Sequence, residues 1–277
     1  VGEDLRLKLY CKDPSKQLNE ALKRSRAAIF YSATMTPTAY FQNIFGCEET
    51  VRGLVLPSPF PREHLRLVVS DHISTLYRKR EETKEALTEA LVEFVSQKKG
   101  NYMLYFPSYE YLGKVHSLFT AERPDMDVLA QTPEMTETER EQFLRNFSHD
   151  NDVSLVGFAV MGGVFGEGID LVGDRLTGAA IVGVGLPGIS PERELIREYF
   201  DQQGTGFEYA YLYPGINRVL QAAGRVIRSE NDKGVVLLID PRFTRSPYRT
   251  LLPSFWQPQR VTSEDQLRST LAGFWME

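Results

Sequence analysis

The chain has only two cysteines in 277 residues, Cys11 and Cys47, too far apart and too isolated for a disulfide scaffold or a zinc cluster. Such sparse usage fits a reducing, intracellular setting, cytoplasmic or nucleoid. No apolar run reaches membrane-spanning length, and no charged-then-apolar leader opens the sequence, so no membrane partner is expected. A net charge of −5 excludes a surface that is everywhere a field for nucleic acid and restricts any such contact to a local basic groove. Also missing is Gly-x-x-x-x-Gly-Lys-Ser/Thr: the one Gly-Lys, Gly113-Lys114, runs on into Val115 inside a helical pattern. No Asp-Glu pair follows an apolar strand to hold magnesium, and no metal site is expected in this chain. Val1 stands where a methionine would start a gene product, so an excised or processed piece is expected.

What is present is ordinary globular material, 42% hydrophobic and 25% charged. A helical pattern over 16–26 is followed by Ala27-Ala28-Ile29-Phe30-Tyr31, which reads as a buried strand, and then by Ser32-Ala33-Thr34-Met35-Thr36-Pro37. Residues 46–63 are broken by glycine and proline. After them strands are expected over 65–73, 102–106, 126–130, 153–161, 179–186 and 235–240. Helices are expected between them over 76–97, 108–122, 136–147 and 190–200, and from about 215. Near-continuous apolar strands separated by helices predict a mainly parallel, doubly wound α/β sheet covered on both faces. Residues 1–262 are expected to form one domain and 263–277 a helical tail.

The stretch Gln221-Ala222-Ala223-Gly224-Arg225-Val226-Ile227-Arg228 carries the sharpest chemistry. If it is helical, Gln221, Arg225 and Arg228 share a sector opposite Ile216, Val219, Leu220, Ala223 and Ile227. Two guanidiniums at that spacing suit polyphosphate oxygens; the bland alternative is a surface helix that happens to carry arginines. In a parallel sheet, ligands gather at the carboxyl ends of the strands. Candidates there are the Ser32–Thr34 loop, Ser108 with Tyr109, and the loop from Gly162 and Gly163 through Glu167, Gly168 and Asp170. Each also has a structural reading: a capped turn, a plain helix N-cap, or a glycine turn with carboxylates beside it. Arg78-Lys79-Arg80 reads most simply as a solvated face, with a phosphate contact as the lesser alternative. Arginines for phosphate without a phosphate cradle fit a lobe that completes a site held elsewhere.

These residues carry a resemblance. Ser32-Ala33-Thr34-Met35 resembles motif III, Tyr105-Phe106-Pro107-Ser108-Tyr109 motif IV, Phe165-Gly166-Glu167-Gly168-Ile169-Asp170 motif V, and Gln221 to Arg228 motif VI of superfamily 2 helicases. With Cys11-Lys12-Asp13-Pro14-Ser15 at the start and Leu238-Ile239-Asp240-Pro241-Arg242 near the end, their order resembles the XPD/DinG branch. The resemblance implies a RecA-like C-terminal motor lobe of an ATP-dependent helicase moving 5′ to 3′ on single-stranded DNA. It implies Arg225 and Arg228 as catalytic arginines reaching the nucleotide, with Gln221, Glu167, Gly168 and Asp170 beside them. Ser32, Thr34, Ser108, Tyr109, Gly162 and Gly163 would then face DNA. ATP and Mg2+ would be held mainly by a first RecA-like lobe absent from this sequence, and the sequence is silent on an iron–sulfur cluster in the parent. Alone, the chain is expected to hydrolyse nothing. Competing expectations are a DinG-like nuclease or translocase that does not unwind, a free-standing nucleotide- or partner-binding module, and an enzyme of sugar-nucleotide type.

Overall fold

A computed structural model describes residues 7–48, 50–165 and 175–276. Contacts gather the chain into two units, Val1–Val55 with Pro187–Pro214, and Leu56–Leu186 with Gly215–Glu277.

The first unit holds α1 (Ser15–Leu22) and α2 (Thr38–Ile44). Expected strand 27–31 is absent. Ile29 and Tyr31 are 86% and 90% exposed, and Phe30 instead stacks on Phe45 at 4.3 Å between centroids. A five-residue apolar run has no strand identity without a neighbour to bond, and no described strand pairs with it.

In the second unit the elements alternate: β1 (Leu65–Ser70), α3 (Arg80–Ser96), β2 (Asn101–Phe106), α4 (Tyr109–Glu122), β3 (Asp127–Ala130), α5 (Glu137–Arg145), β4 (Leu155–Val160) and β5 (Gly178–Val182). The chain then returns to the first unit for α6 (Pro191–Asp201), where Ser190 caps the helix by accepting from the Arg193 amide at 3.3 Å. Aromatic packing closes that unit, with Phe200 stacked on Tyr209 at 4.2 Å and Tyr40 edge-on to it at 4.9 Å. The sheet resumes through α7 (Tyr213–Ala223), β6 (Gly234–Ile239), the short α8 (Tyr248–Leu251), β7 (Gln259–Val261) and α9 (Glu264–Met276).

All pairings among the seven strands are parallel, in the order β3-β4-β2-β5-β6-β1-β7. The connections β1 to β2 and β2 to β3 move one way across the sheet; every later one moves the other way. Right-handed crossovers therefore put α3 and α4 on one face and α5 and α7 on the other. Burial agrees: Tyr102, Leu104 and Phe106 of β2 join Leu87, Leu91 and Phe94 of α3 and Val115 and Phe119 of α4 in one core. On the other face, Gly157 admits Phe143, Phe147 and Met103 so closely that an added Cβ would lie 2.6 Å from Phe147 Cζ and 2.7 Å from Met103 Sδ. Full burial of each large apolar side chain stabilises by about 1.5–3 kcal/mol relative to exposure. The strand β7, only three residues long and polar at two of them, carries no apolar period and was not expected. Within the expected tail, α9 (Glu264–Met276) lays Leu267, Leu271 and Phe274 into the same core as α3.

Candidate functional site

Motif VI departs from the helix expected over 221–228. The helix α7 ends at Ala223: the Gly224 amide makes the last helical bond, to the Leu220 carbonyl at 2.9 Å, and the amides of Arg225 and Val226 close tighter turns onto Ala222 and Ala223, both at 3.3 Å. Gln221 is helical; Arg225 sits in the turn; Arg228 lies beyond it. Val226 rather than Ile227 is the buried residue, at 2% exposure. Two causes end the helix. Gly224 is a poor helix residue, and Asp232, 6% exposed, takes over the next amides, accepting from Arg228 N at 2.6 Å, Ser229 N at 2.8 Å and Ser229 Oγ at 2.6 Å. A carboxylate that satisfies backbone donors locally competes with helical bonding.

Tyr105, fully buried near the carboxyl end of β2, donates its hydroxyl to the Phe165 carbonyl at 3.0 Å. Burial pushes this phenol's pKa up, and the positive charges of Arg225 and Arg228 oppose that rise. The hydroxyl adjoins the start of the motif V loop. Glu167, Gly168 and Asp170 themselves fall outside the described residues.

The other candidates are placed as follows. Ser108 is the N-cap of α4, its hydroxyl accepting from the Tyr111 amide at 3.3 Å. Tyr109 is 36% exposed and its hydroxyl accepts from Gln131 Nε2 at 3.0 Å. Gly162, at φ +72°, turns the chain after β4 under the Arg218 side chain, a backbone conformation that favours glycine; a Cβ there would also lie 2.5 Å from Arg218 Nε. Gly163 follows in the same turn, its amide bonded to the Val160 carbonyl at 3.3 Å. Ser32 and Thr34, in the first unit, form an exposed turn in which Thr34 N donates to Ser32 Oγ at 3.2 Å.

Several residues here escaped sequence reasoning. Arg80, expected on a solvated face, is half-buried: its Nε donates to the Thr75 carbonyl at 3.3 Å and its guanidinium lies 4.7 Å from the Tyr111 ring centroid. Burial lowers its pKa from the usual arginine value. Arg242 grips the fully buried Asp240 carboxylate through Nε at 2.7 Å and Nη2 at 2.9 Å. Together Thr75, Arg80, Pro107, Gly185 and Arg242 line a cavity of about 190 Å³ beside motif IV. Arg218, Asp232 and Gln131 were missed as well; no motif marks them, and only the folded chain brings them to the site. Among the described residues no three His, Cys, Asp or Glu side chains group to hold a metal ion, and no helix is long and apolar enough to cross a membrane.

A parallel sheet wound on both faces, with Arg218 over the Gly162 turn that follows β4, has the architecture of a RecA-like lobe. The family model described as the helicase C-terminal domain matches residues 91–259, and the chain belongs to that family. It is 26% identical to the ATP-dependent DNA helicase chl1 of Aspergillus niger over 95% of this chain and 35% of that protein. It is 25% identical to the general transcription and DNA repair factor IIH helicase subunit XPD of Schizosaccharomyces pombe, over 92% of this chain and 35% of that one. The ATP-dependent DNA helicase DinG of Photobacterium profundum is 29% identical, over 86% and 35%. A solved apo form of XPD superposes with a TM-score of 0.71 at 19% identity, covering 91% of this chain and 52% of that one, which bears out the RecA-like fold. The resemblance to the XPD/DinG branch thus stands, and the chain spans about a third of the length of these curated relatives.

Proposed function

We propose that this chain is the second motor lobe of an ATP-dependent DNA helicase acting 5′ to 3′ on single strands. ATP and Mg2+ would be held mainly by a first lobe elsewhere in the full-length protein, and Arg225 and Arg228 would act on the transferring phosphoryl group. The observation that carries the reading is the match of residues 91–259, which include Arg225 and Arg228, to the helicase C-terminal family. Arginine suits the task because its charge is permanent and its donors form a planar fork; delivered as the lobes close, it meets charge that grows in the transition state. Asp232 fixes the Arg228 backbone and so the root of its side chain. Gln221, Glu167, Gly168 and Asp170 are assigned to the same nucleotide-facing side.

The strand would run past Ser108, Tyr109 and the Gly162–Gly163 turn; Ser32 and Thr34 are likewise assigned to DNA. Arg80, in the cavity beside Pro107, supplies positive charge for the sugar-phosphate backbone. Such contacts ignore sequence and weaken with salt. The test is strand-stimulated ATP hydrolysis by the full-length protein, unaltered against Arg228→Ala, with folding checked for both. A loss on the order of a thousandfold in turnover with nucleotide affinity little changed supports the finger role. Unchanged hydrolysis sinks it and leaves a nucleotide- or partner-binding module as the better reading; hydrolysis without strand separation would indicate a translocase.

A further inference from the structure

We propose that Gln131 is a positioning residue that holds the Tyr109 ring as a stacking platform for one unstacked base of a single strand. This rests on the reading of the lobe as a single-strand contact and names the subsite and the group that builds it.

Gln131 follows β3 directly and is 6% exposed. Its backbone amide donates to the Phe158 carbonyl at 2.8 Å, continuing the ladder between β3 and β4 for one more residue. Its side chain is fixed by a second bond. Oε1 accepts from the Val160 amide at 2.8 Å, and a backbone N–H can only donate, so the carbonyl end of the amide is assigned and the Nε2 end must face Tyr109. The 3.0 Å contact between Nε2 and the Tyr109 hydroxyl therefore has nitrogen as donor and the phenol as acceptor. Two consequences follow. The phenol keeps its own proton for an outward partner such as a phosphate or base oxygen. The ring, attached to the first residue of α4 and 36% exposed, is tethered at both ends instead of swinging on Cβ alone.

The same amide borders the glycine turn. A Cβ on Gly163 would sit 3.4 Å from Gln131 Nε2, and Val160, the residue Gln131 binds, also accepts from the Gly163 amide at 3.3 Å. One buried side chain thus sets the spacing between the aromatic ring and the bare backbone turn, an arrangement that suits a flat base beside its own phosphate. Aromatic stacking serves any base, as a motor that ignores sequence requires.

The test uses the full-length protein and an oligothymidylate carrying one 2-aminopurine, whose fluorescence falls on stacking. In the unaltered protein, binding quenches the probe. With Tyr109→Leu the quench is lost and affinity falls about tenfold. Gln131→Met and Tyr109→Phe each raise the half-saturating strand concentration about three- to fivefold, an effect on that concentration rather than on the maximal hydrolysis rate, and the double variant is no worse than either single one. A Gln131→Met protein that melts earlier yet binds and quenches like the parent overturns the proposal, since Gln131 then only braces the sheet edge. Additive losses in the double variant overturn it too. A protein that binds strand with no quench, or with a quench that Tyr109→Leu leaves intact, refutes the platform and spares the motor reading. Absence of strand binding in the unaltered protein refutes both.

Discussion

Replacing Asp240 by alanine should be among the most damaging single changes to the sheet unit. The carboxylate is 0% exposed and accepts from Arg242 N at 2.8 Å, Arg242 Nε at 2.7 Å, Arg242 Nη2 at 2.9 Å and Thr75 N at 3.3 Å, and from the Thr75 hydroxyl. Its loss strands a Thr75 amide that is almost wholly buried and an arginine held beside the Tyr248 ring. Removing one partner of a buried pair costs about 3–5 kcal/mol. Because the Arg242 side chain retains 26% exposure and can turn to water, the lower end of that range, about 3 kcal/mol, applies here. In a chain of this size that lowers the melting temperature by about 10 °C. The pH dependence separates charge from packing. Burial raises the Asp240 pKa, but bonding to Arg242 and Thr75 lowers it further, and the net shift is downward. A depressed carboxylate contributes stability that is complete above its unfolded pKa of about 3.9 and lost as pH falls through the folded value. Urea unfolding of the two proteins should therefore show a constant gap from about pH 7 to 5 that narrows below about pH 4. A gap under about 1 kcal/mol at neutral pH would refute the reasoning; so would one that persists undiminished into acid.

Two further substitutions test the site and its support. Gly157→Ala drives a methyl into Phe147 and Met103 and should destabilise by about 1–3 kcal/mol in urea, in spite of the better strand propensity of alanine. Ser108→Asp preserves an N-cap for α4 and adds negative charge at its start, so melting should stay within about 1 °C of the parent while strand affinity falls severalfold. Unchanged strand affinity in that variant would reduce Ser108 to a cap.

The sheet was legible because its strands are apolar without interruption and its helices announce themselves. Thr136 and Glu139 form the reciprocal cap expected of them, with Glu139 N donating to Thr136 Oγ1 at 3.3 Å and Thr136 N to Glu139 Oε2 at 2.7 Å. Failures came where a local pattern depends on something distant. Residues 27–31 have the composition of a strand, yet a strand exists only with a partner. Arg80 has the flanks of a solvated residue, Arg78 and Lys79, but the chain turn at Tyr77–Lys79 swings its guanidinium onto Tyr111. Gln131 is one polar residue after a four-residue strand, and nothing in its neighbourhood signals that Val160 and Tyr109 will meet its two ends.

In the arginine stretch the local geometry differs from the helix expected of it. On a continued helix, Arg225 and Arg228 would sit on successive turns about 4.5 Å apart along the axis, and both would be limited to the reach of one helix face. Ending the helix at Ala223 frees Arg228 from that face, and the Asp232 bracket then fixes its backbone before Gly234 begins the parallel pairing of β6 with β1. Val226 seals the turn from below against Gly234, whose missing side chain makes room for it. The turn that carries the two arginines therefore buries its apolar residue, Val226, and satisfies the amides of Arg225, Val226, Arg228 and Ser229 through Ala222, Ala223 and Asp232.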